Sequence, residues 1–237
     1  MRIGRDGQRA VLTGLDAVEA WLIDLDAPAD QAAASDRFGS VLAPAERVRA
    51  TTYLRPRDGA RFAASRAWLR LVLCRYLDAE PADLCFAAGA DRRPALAGDH
   101  AGALHFSLSR SARLALIAVS SSPVGADLEL LSARAGLADL VGGMFAPAEA
   151  ACIDNSCGGS PLRGFYRHWT AKEAYLKATG AGLAGLRSTQ LVCGVRPVIR
   201  CDSRLATDWV VSLPELSAGH VAAIVGVGAV TCYRAVH

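Results

Sequence analysis

The chain has 237 residues, of which 52% are apolar and 21% charged, and its formal net charge is +3. That apolar content suffices for a sizeable core and excludes a disordered, collagen-like or low-complexity chain; the length allows one large domain or two small ones. A surplus of three positive charges is too small to argue for nucleic acid, and it fits an anionic ligand or an acidic partner.

Residues 1–10 hold three Arg and one Asp with no apolar stretch behind them, so no secretory signal is expected. Residues 41–58 (VLAPAERVRATTYLRPRD) predict an arginine-rich helix that stops near Pro56. Residues 58–78 predict an amphipathic helix with Asp58 as N-cap and Phe62, Trp68, Leu69, Val72, Leu73 and Tyr76 at helical spacing. Residues 79–103, with Pro81, Gly89, Pro94 and Gly98, read as loop. The apolar period then falls to two, which predicts strands over 104–109, 114–119 and 125–130. Residues 134–153 predict a helix broken near Gly142 and Gly143, and 154–161 (DNSCGGSP) a flexible loop. Residues 162–179 (LRGFYRHWTAKEAYLKAT) predict the strongest helix, stopped by Gly180 at the C′ position. Residues 189–237 read as short strands.

The longest uncharged apolar run, 221–230, is half of the roughly 20 residues a membrane span needs. No membrane segment and a cytoplasmic location are therefore expected. With no repeat and no long linker, the pattern predicts an α+β or α/β protein of two similar lobes, 1–120 and 121–237.

Seven cysteines occur, at 74, 85, 152, 157, 193, 201 and 232. The number is odd and no pair has C-x-x-C spacing, so reduced, mostly buried thiols are expected, and no zinc site. The basic residues are more informative: 24 are Arg and only two, Lys172 and Lys177, are Lys. Arg is a planar fork and Lys a flexible point charge, so two neighbouring lysines in such a chain point to a need for a compact ammonium there.

Three constellations carry chemistry. Asp127 and Glu129 lie at i and i+2 of a predicted strand, so both carboxylates face one side. Their repulsion would be relieved by a divalent cation, and oxygen-only ligands suit Mg²⁺; a solvated strand face is the plainer alternative. On the helix, Trp169, Glu173 and Lys177 share a face at i, i+4 spacing, with Phe165 extending the stripe and Lys172 beside Glu173. Glu173 would be a third metal carboxylate and Lys177 a phosphate contact, against the alternative of an ordinary i, i+4 ion pair. In FSLSRS, 106–111, Ser109 and Arg110 are read as leaving a strand into a turn, where hydroxyls, amides and a guanidinium suit a phosphate. The glycines at 180, 182 and 185 match G-x-G-x-x-G, but they follow a helix, so no dinucleotide site is expected.

Taken together, FSLSRS, GADLE and FYRHWTAKEAYLKATGAGL resemble, in order and spacing, the 4′-phosphopantetheinyl transferases of the surfactin-synthetase type. The resemblance covers about residues 41–186 and implies two pseudo-symmetric α/β lobes with the ligand site between them. It implies transfer of the phosphopantetheine arm of coenzyme A to a serine of an acyl or peptidyl carrier protein, with release of 3′,5′-ADP. It assigns Mg²⁺ to Asp127, Glu129 and Glu173, and phosphate contact to Lys177 with Lys172 beside it. Glu149, in MFAPAEA, matches the acidic position of the family's short middle motif. Arg49 and Arg61 would meet the adenosine phosphate end, with Arg47 as the other register. Arg93 stands where the family has the Lys of G-K-P, Ser107 where it has Asn, and Arg110 where it has His. Arg93, Ser109 and Arg110 are therefore expected at coenzyme A phosphates.

In this reading the carrier serine attacks the β-phosphate, Lys177 stabilises the leaving 3′,5′-ADP, and Glu173 is the first candidate base with Glu149 the second. The arginine-rich surface would speed encounter with acidic carriers. A monomer is expected. Two other classes stay open: a Mg²⁺-dependent coenzyme A phosphodiesterase, and a non-catalytic carrier-binding protein.

Overall fold

The computed structural model describes residues 17–26, 38–89, 93–133, 136–155, 159–194, 196–216 and 219–235. Strand β1 (Ala17–Asp24) is followed by helices α1 (Pro44–Thr51) and α2 (Pro56–Leu73), then by a hairpin of β2 (Cys85–Ala88) and β3 (Pro94–Ala97). Next come β4 (His105–Ser111), β5 (Leu114–Ser120) and β6 (Val124–Leu130). Helices α3 (Leu137–Met144), α4 (Pro147–Asp154) and α5 (Pro161–Thr179) lead into β7 (Thr189–Val192), β8 (Val198–Cys201), β9 (Arg204–Leu205), β10 (Val210–Ser212), β11 (His220–Gly226) and β12 (Ala229–Ala235). Helix and sheet are mixed along the chain, which is the α+β class expected.

Two sheets dominate, one in the order β12-β1-β5-β4 and one in the order β10-β11-β6. Strand β5 shows how they stack. Its odd-numbered residues, Ala115, Ile117 and Val119, pack on Leu69, Val72 and Leu73 of α2. Its even-numbered residues, Leu114, Leu116 and Ala118, pack on Ala126 and Leu128 of β6 and on Ala222 and Ile224 of β11. The far side of the second sheet, with Ala223 and Val225, receives Ala171, Ala174, Tyr175 and Leu176 of α5. The order is thus helix, sheet, sheet, helix, with β5 and β11 buried along their whole length. Each fully buried Leu, Ile or Val here contributes about 1.5–3 kcal/mol.

Strand β12 pairs in parallel with β1, from Ala17 with Ala229 to Ile23 with Ala235. The last strand therefore lies in the sheet built by the first half of the chain, across the boundary drawn at residue 120.

Prolines set several boundaries that the sequence reading places differently. α1 ends at Thr51, and α2 begins at Pro56 with Arg55 as N-cap, so Asp58 is no cap but lies in the first turn. Proline lacks the N–H that is orphaned there and has a helical φ already, so Pro56 starts a helix where it was expected to end one. Gly142 and Gly143 lie inside α3, and the break falls at Ala146 (φ −67°, ψ 155°) before Pro147. A residue before proline is driven to extended backbone, and that ends the helical run. The stretch read as loop over 79–103 contains the hairpin β2–β3. α5 follows its expectation: Ser160 Oγ accepts the Arg163 N–H at 3.2 Å, and Gly180 closes it at φ +72°.

Cys74, Cys85, Cys193 and Cys201 are thiols, whereas Cys152 is disulfide-bonded, contrary to the expectation of a fully reduced chain. No helix among the described residues is long and apolar enough to cross a membrane.

Candidate active site

On β6 the alternation that sends Ala126 and Leu128 into the sheet–sheet core sends Gly125, Asp127 and Glu129 towards α5. Gly125 is required there by space: a Cβ would sit 1.9 Å from the Ala174 carbonyl oxygen and 2.6 Å from the Ala178 nitrogen. The missing side chain lets α5 lie directly on β6 and brings Glu173 and Lys177 over the two acids. Lys177 Nζ donates to Asp127 Oδ1 at 2.5 Å and to the Ala126 carbonyl at 3.2 Å. Asp127 is 5% exposed. Burial raises the pKa of Glu173, Lys177 pulls it back, and Asp127 and Glu129 push it up again. The four side chains therefore form one electrostatic unit, as the i, i+2 and i, i+4 spacings predict.

The edge of β4 supplies what positions the acids. Ser107, Ser109 and Ser111 alternate along it and reach across to β6, where their hydroxyls replace a backbone ladder. Ser107 Oγ accepts the Ala126 N–H at 3.0 Å, Ser109 Oγ the Leu128 N–H at 3.3 Å and Ser111 Oγ the Leu130 N–H at 2.9 Å. Ser109 in turn donates to Asp127 Oδ1 at 2.9 Å, and Ser111 to Glu129 Oε2 at 3.1 Å. Ser107 and Ser111 were not singled out from the sequence as partners of the acids; the signal that marks them is serine at every second position of one strand.

This corrects the reading of FSLSRS as the mouth of a turn. β4 runs on to Ser111 and the turn lies at Ala112, so Ser109 and Arg110 point to opposite faces. Arg110 stands over the Phe62 ring at 5.5 Å, and Arg49 over the same ring at 5.4 Å. Two of the expected arginines thus meet around one aromatic side chain of α2. Arg61 is engaged elsewhere, donating from Nε and Nη2 to both oxygens of Asp26 at 2.8 and 2.5 Å. Arg47, its alternative register, donates to the carbonyls of Gly39 and Leu42. Arg93 donates to the carbonyl of Lys177 at the end of α5, a favourable place for a cation.

Lys172 and Glu149 are withdrawn from the site, against the roles expected for them. Lys172 is fully buried; it donates to Glu149 Oε2 and the Met144 carbonyl, each at 3.2 Å, and lies over the Phe145 ring. Glu149, 3% exposed, also accepts the Ala146 N–H at 3.0 Å on Oε2 and the Leu191 N–H at 2.9 Å on Oε1. Neighbours on a helix are turned about 100° from each other, so Lys172 and Glu173 cannot both face β6. Glu149 and Lys172 join α4, α5 and β7 beneath the site, and neither faces an open surface.

The donor set fits a hard divalent cation. Asp127 Oδ2 is buried with no hydrogen-bond partner among the described residues, an arrangement that costs stability unless something positive meets it. The three carboxylates offer oxygen alone, the ligand type of Mg²⁺. Lys177 already shares Asp127, so the ion and the ammonium would compete for one carboxylate.

Comparison with known proteins places these residues in a family context. The model of the 4′-phosphopantetheinyl transferase superfamily matches residues 123–225, the span that holds Asp127, Glu129, Glu173 and Lys177. The chain is 35% identical over 203 residues to the 4′-phosphopantetheinyl transferase HetI of Nostoc sp. PCC 7120, covering 85% of this chain and 83% of that one. It is 30% identical over 179 residues to the phosphopantetheinyl transferase of Thraustochytrium sp., covering 70% and 62%. To Sfp of Bacillus subtilis it is 25% identical over 162 residues, covering 68% and 70%. The likeness is therefore to the superfamily, and the surfactin-synthetase type is one of its more distant matches here.

Proposed function

This chain belongs to the 4′-phosphopantetheinyl transferase superfamily, a family of transferase enzymes that act on coenzyme A and carrier proteins, and from that premise we propose that it moves the phosphopantetheine arm of coenzyme A onto a serine of an apo acyl or peptidyl carrier protein. The observation that carries the reading is the unit of Asp127, Glu129, Glu173 and Lys177 with the buried, unpartnered Oδ2 of Asp127 at its centre. Asp127, Glu129 and Glu173 would hold a divalent ion of the Mg²⁺ class, which neutralises charge on a pyrophosphate when bound.

The chain's own groups account for the rest. Glu173, whose pKa is raised chiefly by burial, is suited to take the proton of the carrier serine. As the serine oxygen bonds to the β-phosphorus, the bond from that phosphorus to the oxygen of 3′,5′-ADP breaks. Lys177 turns from Asp127 to the phosphate oxygens and offsets the charge that grows on the leaving group. Arg49 and Arg110, around Phe62, take the phosphates of the adenosine end, and Arg61 joins them when Asp26 releases it. Ser109 and Ser111 hold Asp127 and Glu129 in place. Glu149 and Lys172 act as positioning residues for α5. The division into a coenzyme-binding first half and a metal-binding second half, the cytoplasmic setting and a monomeric state belong to the same reading.

Product analysis tests it. With coenzyme A, Mg²⁺ and an apo carrier, 3′,5′-ADP should appear one for one with modified carrier, and none should form when the carrier is left out. Release of 3′,5′-ADP without carrier would make the protein a hydrolase. Carrier binding with neither product would make it a binding module.

A further inference from the structure

The sequence reading sets zinc aside because no Cys or His pair has ligand spacing, but the fold gathers three such side chains from separate segments. The ligand atoms of Cys152 on α4, His168 on α5 and Cys193 just beyond β7 all lie within 4.8 Å of one another, the tightest such group among the described residues. His168 is fully buried, and its Nδ1 lies 2.9 Å from the Gly164 carbonyl. A carbonyl only accepts, so the proton sits on Nδ1 and the Nε2 lone pair faces Cys193 Sγ, 3.5 Å away. A backbone carbonyl holding the far nitrogen is how metal-ligating histidines are oriented. Burial also depresses the imidazole pKa and keeps the ring in its neutral, ligating form. Two ligands of one tetrahedral zinc, with bonds of about 2.3 Å to sulfur and about 2.0–2.1 Å to nitrogen, stand roughly 3.5 Å apart, the separation found between Cys193 and His168.

We propose that Cys152, His168 and Cys193 form a binding site for one thiophilic divalent ion of the zinc class, assembled when a dithiol or phosphine opens the Cys152 disulfide. Reduction adds two electrons and two protons and converts the disulfide to two thiols, while a dithiol reductant is oxidised to its own disulfide, or a phosphine to its oxide with oxygen from water. The ion then displaces the protons of Cys152 and Cys193 into solvent and forms two bonds to sulfur and one to Nε2. Burial holds the Cys193 thiol protonated above the ordinary cysteine range, so that proton leaves only against the gain of the metal bond. The site ties together the same three segments that Glu149 ties through Lys172 and the Leu191 N–H. It therefore braces α5, one turn before Lys172, without taking part in the carboxylate site, and it stands or falls independently of the transfer activity.

Co²⁺ is the probe, added to the reduced full-length protein with Mg²⁺ in excess. One equivalent should produce a thiolate-to-cobalt charge-transfer band and the intense visible bands of tetrahedral Co²⁺, and Zn²⁺ should abolish both. The disulfide form should give neither. Cys193→Ser should lose the band, while Cys85→Ser and Cys201→Ser keep it. In the reduced chain without substitution, stoichiometric Zn²⁺ should suppress alkylation of Cys152 and Cys193 and leave Cys85 reactive. Absence of the thiolate band in the reduced protein, its survival in Cys193→Ser, or alkylation of Cys193 unaffected by Zn²⁺ would each overturn the proposal.

Discussion

Glu149 and Glu173 sit on consecutive helices and meet opposite surroundings, and that contrast decides their roles. Glu149 is saturated by Lys172 and two backbone N–H groups, whereas Glu173 is half-buried beside two other carboxylates. Glu149→Gln leaves Lys172 buried without its counter-charge, which should cost about 3–5 kcal/mol of stability while the folded enzyme keeps most of its kcat. Glu173→Gln should do the reverse: unfolding unchanged or later, because repulsion is relieved, and kcat lost. Denaturant unfolding measured beside kcat separates the two; loss of kcat in fully folded Glu149→Gln would return that residue to catalysis. Ser109 makes a second contrast with Ser107. Ser109→Ala frees Asp127 from one of its two holders and should lower kcat/KM about 10–100-fold, as loss of a group that orients a metal ligand does. Ser107→Ala strands the Ala126 N–H and should cost about 1–3 kcal/mol of stability with kcat retained. The carboxylates and Lys177 were legible because spacing of two in a strand and four in a helix fixes a shared face. Lys172 was misread because adjacency in sequence is not adjacency on a helix. Ser109 was misread because the strand outlasted the apolar pattern by two residues, into Arg110 and Ser111.

At the scale of elements, the site depends on how closely α5 approaches β6. Gly125→Ala places a methyl group against the backbone of Ala174, so the helix must shift. Overpacking of this kind costs about 1–3 kcal/mol, and the shift should lower kcat as well because Glu173 and Lys177 travel with α5. A variant with native stability and kcat would mean that the contact is not tight in solution. Asp26 makes a second test. Its two arginine partners hold its pKa down, from 3.8 to about 2, so it is charged in the folded state at pH values where the unfolded chain already protonates it. The stabilisation is complete above the unfolded value near 3.8 and is lost as pH falls towards 2. Because the pair is partly open to solvent, about 1 kcal/mol is the expected size. Asp26→Asn should remove this acid dependence, seen as a smaller fall in stability between pH 5 and 2.5; an unchanged slope would show that other carboxylates carry it. The helix α5 was legible to within one residue, since its pattern runs unbroken to the Gly180 stop, although Ser160 and Pro161, read as loop, are its N-cap and first residue. The hairpin β2–β3 was not, because Cys85–Ala88 is short, mostly exposed and without alternation.

At the scale of the molecule, the two sheets stack face to face, and β4 and β6 meet edge to edge through the three serines. The candidate site lies along that seam, with the arginines around Phe62 on the α2 side of the first sheet and the acids on the α5 side of the second. The alternation of helices and strands made the mixed helix-and-sheet class legible, but parallel pairing of β12 with β1 was not, since pairing of distant strands leaves no local trace in sequence. If this seam transfers phosphopantetheine to a carrier, the intact mass of that carrier records it. An apo carrier incubated with the protein, coenzyme A and Mg²⁺ should gain the mass of one phosphopantetheine on one serine, with no gain when a chelator is present or when Glu173→Gln replaces the unaltered chain. A carrier that keeps its apo mass while coenzyme A is consumed, or a gain that persists in the presence of the chelator, would rule out metal-dependent transfer at this seam.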